Sequence, residues 1–112
     1  MDIQRKEPIA LGPTYYLDVE NELLIKNGLR VGLSRIQFRL LYYLAQHIGQ
    51  PVSDQDLIDY AWGAEAFISR NYLYVTINRL RSKIEDNLKN PELLLSLRGV
   101  GYILYPIRKN NL

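Results

Sequence analysis

Residues 69–86, with the sequence SRNYLYVTINRLRSKIED, contain the pattern that decides the fold of this 112-residue chain. At 100° per residue, the apolar side chains at 73, 77, 80 and 84 fall on one narrow stripe. Ser69 or Asn71 can cap the amino end, because both side chains accept hydrogen bonds from backbone N–H groups. We therefore predict a long helix over about 69–86 that buries this stripe and exposes its opposite face.

The exposed face of this predicted helix and its flanks carry side chains suited to the major groove of B-DNA. In that groove arginine pairs with guanine, asparagine pairs with adenine, and small apolar groups contact the thymine methyl. The arginines and asparagines are also candidates for phosphate contacts. The candidate residues of these three kinds are Asn71, Val75, Thr76, Asn78, Arg79 and Arg81.

A β-hairpin is predicted directly after this helix, over 93–105. Two apolar runs are joined there by Arg98-Gly99-Val100-Gly101, and the two glycines permit a tight reversal. Arg98 would stand near the tip, from which it can reach a narrow minor groove whose negative potential attracts arginine. The alternative is an arginine that only solvates the turn.

Two shorter helices are predicted before the long one. Ser34 and Gln37 form a capping box, and apolar residues then recur every four residues, which predicts a helix over about 34–48. Ser53 repeats the start signal for a helix over about 53–62. The short connection between the two is typical of a helix-turn-helix.

The chain is predicted to open with a small antiparallel sheet over 8–33. Asn27-Gly28 separates the last two of its four strands and favours a type I′ turn, in which both central residues have positive φ. The predicted fold class is therefore α+β, with an amino-terminal sheet, three helices and a carboxy-terminal hairpin. The predicted strands are 8–11, 15–19, 23–26 and 29–33.

The composition excludes several classes of function. The chain has 47% hydrophobic residues, no Cys and one His, so disulfides, thiolate metal sites and Cys nucleophiles are excluded. His47 alone cannot build a zinc site or a Ser-His-Asp triad, and no apolar run is long enough for a membrane helix. We expect a cytoplasmic protein that is not an enzyme and has no metal, cofactor or membrane partner.

The net charge of +2 is unevenly distributed along the chain. Residues 1–68 hold 6 Lys and Arg against 9 Asp and Glu, which gives −3, whereas residues 69–112 hold 8 against 3, which gives +5. The positive charge therefore lies in the long helix and the hairpin, where it favours a polyanion such as nucleic acid.

Four segments together resemble the effector domain of OmpR/PhoB-type response regulators, a winged helix-turn-helix. Residues 33–44 resemble its first helix and residues 56–63 its second helix. Residues 75–84 resemble its recognition helix, and LRGVGY at 97–102 resembles its wing.

The resemblance implies an output domain of a two-component phosphorelay that regulates transcription by sequence-specific binding to double-stranded DNA. The recognition helix would occupy the major groove and the wing arginine the minor groove. The residues that it places at the DNA are Tyr74, Val75, Thr76, Asn78, Arg79, Arg81 and Arg98.

The resemblance also implies particular partners. The family tends to bind direct repeats as head-to-tail pairs, so we expect a monomer or weak dimer in isolation. The loop at 63–68 corresponds to a segment that often contacts RNA polymerase. We expect the 112 residues to form this single domain without a receiver domain, as an excised output domain or as a regulator whose input lies in another chain.

A protein-interaction winged helix without DNA binding is the alternative hypothesis. The chain has 9 Tyr, and Tyr72 and Tyr74 lie beside the candidate DNA-binding face. Tyrosine is enriched at protein interfaces, so a docking surface would depend on these rings rather than on arginine.

Overall fold

A computed structural model describes residues 6–107. The predicted domain runs from 1 to 112, so its first and last five residues lie outside the described part of the chain. Between residues 6 and 107, no helix is both long and apolar enough to cross a membrane.

Four antiparallel strands form the amino-terminal sheet, in the order β1-β2-β3-β4. The type I′ turn between β3 and β4 is confirmed, since Asn27 and Gly28 have φ values of 53° and 82°. All four predicted strands are present, although three are shorter than expected. They are β1 (Ile9–Ala10), β2 (Tyr15–Asp18), β3 (Leu23–Lys26) and β4 (Leu29–Gly32).

Three helices follow, and each begins after a serine whose hydroxyl accepts from a backbone N–H three residues on. They are α1 (Arg35–Gln46), α2 (Asp54–Trp62) and α3 (Arg70–Ile84). The capping box of α1 is confirmed, because Ser34 Oγ accepts from the Gln37 N–H at 3.1 Å and Gln37 Oε1 accepts from the Ser34 N–H at 2.9 Å. Ser69, rather than Asn71, caps α3.

A second sheet contains the predicted hairpin and one strand that the sequence does not predict. Its order is β5-β7-β6, with β5 (Val52–Ser53), β6 (Leu94–Leu97) and β7 (Gly101–Leu104). Two residues are too few to show the alternation of apolar and polar side chains that identifies a strand. At Gly101, a Cβ would collide with the carbonyl oxygen of Val52, so only glycine allows β7 to lie against β5.

One apolar core joins both sheets and all three helices. The predicted stripe of α3 is fully buried, with no exposed surface on any of its four side chains. Leu40 and Leu44 of α1, Leu57 of α2, Leu24 of β3 and Leu94 of β6 are equally inaccessible. With its inner stripe buried in this core, α3 can present only its opposite side to a ligand.

Glu85 ends α3 and fixes the start of the hairpin. Its side chain is 6% exposed, and its carboxylate accepts hydrogen bonds from three consecutive backbone N–H groups. Oε1 accepts from Glu92 at 2.8 Å, Oε2 accepts from Leu94 at 2.8 Å, and both oxygens accept from Leu93. The helix ends at Ile84, two residues before the predicted boundary, and Glu85 adopts an extended conformation with ψ of 144°.

Tyr15 ties the amino-terminal sheet to the same end of α3. Its hydroxyl donates to Asp86 Oδ1 at 2.9 Å, and Lys26 Nζ lies 3.2 Å from that oxygen. Burial, together with the hydrogen bond to Asp86, raises the pKa of Tyr15 to about 12. The sheet therefore contacts the segment that follows the carboxy end of α3.

We expect Glu85→Gln to lower the free energy of unfolding by about 2–4 kcal/mol. The amide places an NH₂ group against backbone donors that need an acceptor, and the lost charge weakens the remaining bonds. Urea unfolding measures the change. Glu92→Gln is the matched control, because the Glu92 side chain is exposed. Equal stability of the two variants would contradict this role for Glu85.

Stability should also fall in alkali because of Tyr15. Its pKa is about 12 in the folded protein, whereas the ordinary pKa of a tyrosine side chain is 10.0, so between these values the folded state binds more protons than the unfolded state. The stabilisation is complete below pH 10 and is lost as the pH rises toward 12. Urea unfolding across this range should show a smaller decline for Tyr15→Phe. The exposed Tyr16 provides the control Tyr16→Phe, and identical declines in all three proteins would refute the assignment.

Candidate nucleic-acid interface

The outward side of α3 is exposed where four of the predicted DNA-binding residues lie. Asn71, Tyr74, Val75 and Arg79 are all accessible, Tyr74 to 48% and Val75 to 36%. They offer amide, phenol, aliphatic and guanidinium groups, which together can bind phosphates and base edges. These four side chains are therefore accessible to a DNA duplex.

Arg98 lies on the exposed reversal between β6 and β7. The turn is closed by a hydrogen bond from the Val100 N–H to the Leu97 carbonyl oxygen at 2.9 Å, and Gly99 has a φ of 77°. Arg98 and Val100 are both exposed. The turn therefore presents an arginine with an aliphatic neighbour at the end of the hairpin.

Arg81 is not on the outward face, and the expectation that it is exposed there is wrong. Its side chain is 7% exposed and points toward the hairpin. Nε donates to the Leu94 carbonyl oxygen at 2.9 Å and Nη2 donates to Ser96 Oγ at 2.8 Å. The guanidinium also lies 5.8 Å from the centre of the Tyr102 ring. Arg81 therefore joins α3 to β6 inside the protein.

Thr76 is likewise buried, contrary to its expected place on the outward face. Its side chain is 8% exposed, and its hydroxyl donates to the Tyr72 carbonyl oxygen one turn earlier at 2.9 Å. Threonine commonly satisfies its hydroxyl in this way within a helix.

The positions of Arg81 and Thr76 follow from the helical wheel. Each lies roughly 70° from the centre of the buried stripe, one on either side. Asn71, Val75 and Asn78 lie far beyond that angle. The angle from the centre of the stripe therefore distinguishes Arg81 and Thr76 from the residues on the outward face. Residue type alone does not make this distinction, because polar side chains occur in both groups.

Asn78 has an intermediate position between the outward face and the hairpin. Its side chain is half-buried, and its Oδ1 accepts from Arg81 Nη1 at 2.9 Å. The amide therefore lies at the edge of the exposed surface, and its oxygen is hydrogen-bonded to Arg81.

Two further cations of α3 have protein partners. Lys83 Nζ donates to the Gly32 carbonyl oxygen at 2.8 Å and to Gln37 Oε1 at 2.7 Å, which ties α3 to the start of α1. Arg70 Nε lies 3.5 Å from Asp54 Oδ2, although the Arg70 side chain remains 85% exposed. Lys83, like Arg81, is thus held by neutral acceptors within the protein, whereas Arg70 stays open to solvent.

The amino end of α3 is positioned by an aromatic contact. The Tyr72 ring packs on Trp62 at the end of α2, with ring centres 5.7 Å apart. Tyr72 keeps 49% of its surface exposed. The contact joins the first turn of α3 to the end of α2.

The described residues offer no alternative site built on a metal ion. Within 6–107, no three His, Asp or Glu side chains lie close enough together to hold one. His47 caps the end of α1, and its Nδ1 lies 2.8 Å from the Tyr43 carbonyl oxygen.

The chain matches a family model described as "Transcriptional regulatory protein, C terminal" over residues 28–104. Among curated proteins, the probable transcriptional regulator ycf27 of Cyanophora paradoxa is 38% identical over 89 residues. The match covers 78% of this chain and 37% of that protein. The chain thus spans little more than a third of the length of this relative.

Two solved structures illustrate the similarity of fold. The DNA-binding domain of Klebsiella pneumoniae RstA in complex with the RstA box superposes with a TM-score of 0.79 at 29% identity, covering 90% of this chain and 99% of that one. The Thermotoga maritima response regulator DrrB, an OmpR/PhoB homologue, gives a TM-score of 0.76 at 27% identity, covering 83% and 42%.

Proposed function

The chain belongs to the family of carboxy-terminal domains of transcriptional regulatory proteins, and on that basis we propose that it regulates transcription by binding specific sequences in double-stranded DNA. The family comprises DNA-binding domains and not enzymes, and the resemblance to the OmpR/PhoB type is confirmed. In this proposal α3 enters the major groove and Arg98 of the hairpin enters the minor groove.

One observation carries this proposal most directly. The inner stripe of α3 is fully buried, while Asn71, Val75 and Arg79 remain accessible on its other side. An aliphatic side chain among polar ones suits contact with a thymine methyl, and an exposed arginine suits guanine or phosphate. Besides Arg79 on α3, Arg98 is a second exposed cation, and it lies on the hairpin. Arg81 links this hairpin to α3 through its hydrogen bonds to β6.

Selection from random duplexes should therefore yield a preferred sequence. Arg79→Ala and Arg98→Ala should each weaken binding to it, by about 1–3 kcal/mol where the arginine contacts a base. Where it contacts a phosphate, the slope of log affinity against log salt should become shallower by about 1. Fluorescence anisotropy over a salt series measures both quantities.

Arg30→Ala is the matched control, because Arg30 is exposed on β4 in the other sheet. If binding survives Arg79→Ala but is lost with Tyr74→Ala, the surface is a tyrosine-based protein docking site. Absence of any sequence preference at physiological salt would refute specific DNA binding.

The proposal extends to RNA polymerase through the loop at 63–68. Phe67 is fully exposed there, and aromatic side chains are enriched at protein interfaces. Phe67→Ala should leave the DNA affinity unchanged and reduce the retention of polymerase on a promoter fragment that carries the selected site. Leu29→Ala, which removes another exposed apolar side chain on β4, is the control. Equal retention by all three proteins would exclude the loop as the polymerase contact.

We propose that residues 1–112 act as one effector domain of a two-component response regulator in the cytoplasm. The domain is a monomer or weak dimer in isolation and occupies direct repeats as head-to-tail pairs. Its family membership supports these features.

A further inference from the structure

The side-chain amide of Asn78 has a defined orientation. Arg81 Nη1 lies 2.9 Å from Asn78 Oδ1, and a guanidinium has five donors and no acceptor. The amide atom that faces it must therefore be the oxygen. The amide nitrogen, with its two hydrogens, is the atom left for other partners.

The guanidinium that orients the amide is itself held in place. Besides Asn78, it binds the Leu94 carbonyl oxygen through Nε and Ser96 Oγ through Nη2, so all three nitrogens have partners. It is 7% exposed and lies against Tyr102. Rotation of Arg81 away from Asn78 would break hydrogen bonds to β6, so the orientation of the amide depends on the position of that strand.

This orientation restricts the bases that Asn78 can recognise. Asparagine binds adenine by accepting from N6 with its oxygen while donating to N7 with its nitrogen. Both atoms must then point at the base edge, whereas here the oxygen is directed to Arg81. A donor alone can bind guanine through O6 and N7 or thymine through O4, whereas at adenine it finds only N7, next to the N6 amino group, which is itself a donor and disfavours the contact.

We propose that Arg81 is a positioning residue that makes Asn78 a hydrogen-bond donor toward the major groove, so that Asn78 recognises guanine or thymine rather than adenine. This inference rests on the proposed binding of α3 in the major groove. It replaces the two roles expected from the sequence, in which Asn78 recognises adenine and Arg81 contacts DNA.

Selection from random duplexes with the full 112-residue chain tests the inference. The base position at which Asn78→Ala flattens the preference identifies the contact of Asn78. At that position the unmodified chain should prefer guanine or thymine over the other bases by roughly five- to tenfold, as expected for one hydrogen bond.

Asn78→Asp provides a sharper test because it exchanges donor for acceptor at the same site. Arg81 would bind one carboxylate oxygen, and the other would face the groove as an acceptor. The preference at that position should change to cytosine or adenine, whose amino groups are donors. Repulsion between the carboxylate and the phosphates should lower the affinity for all sequences alike, which separates it from the change in preference.

Arg81→Lys tests the positioning role directly. Lysine keeps the charge but cannot bind Asn78, Leu94 and Ser96 at once, so the amide becomes free to turn and adenine should gain at the Asn78 position. Arg30→Lys is the matched control, since it makes the same substitution at an exposed arginine on β4 and should leave the base preference unchanged. If Arg81→Lys does not fold, as judged by thermal denaturation, Asn78→Asp decides the question.

The outcomes separate this inference from the proposed function. An unmodified chain that selects no sequence overturns the proposed function and this inference with it. A chain that selects a sequence with adenine at the Asn78 position, or a preference unchanged in Asn78→Asp, overturns this inference alone.

Discussion

The structure depends on the attachment of α3 to β6 through two buried charged side chains. Arg81 and Glu85 lie one helical turn apart, and both direct their charged ends to the backbone of Leu94: Glu85 accepts from its N–H, and Arg81 donates to its carbonyl oxygen. Buried charges are tolerated when hydrogen bonds replace those lost to water. Here Glu85 also accepts from the Leu93 N–H, and Arg81 also donates to Ser96 Oγ. The strand is thereby held in one register relative to the helix.

This attachment makes the helix and the hairpin one rigid surface rather than two independent ones. A hairpin held only by its apolar side chains could shift along the helix, because dispersion and burial are not directional. Directional bonds to both polar groups of Leu94 prevent such movement. The exposed groups of α3 and the turn at Arg98 are therefore positioned relative to each other by hydrogen bonds inside the protein.

Local rules explain how much of the fold could be predicted. Serine caps, the Asn27-Gly28 turn and the periodicity of α3 are set by residues near one another in sequence, and the structure contains each of them. The strand β5 is defined by its pairing with β7, and no local sequence pattern predicts it. Arg81 illustrates the same limit within the site: its role depends on Leu94 and Ser96, thirteen and fifteen residues away, so residue type placed it with the DNA-binding arginines.

The internal engagement of Arg81 and Lys83 affects how the domain searches a genome. Counterion release from phosphates supplies nearly all of the affinity for random DNA, and each cation that is bound within the protein removes one potential contact. Arg81 and Lys83 therefore add less to the affinity for random DNA, which competes with the target, than two exposed cations would. The affinity for a true site then depends more on base contacts than on charge.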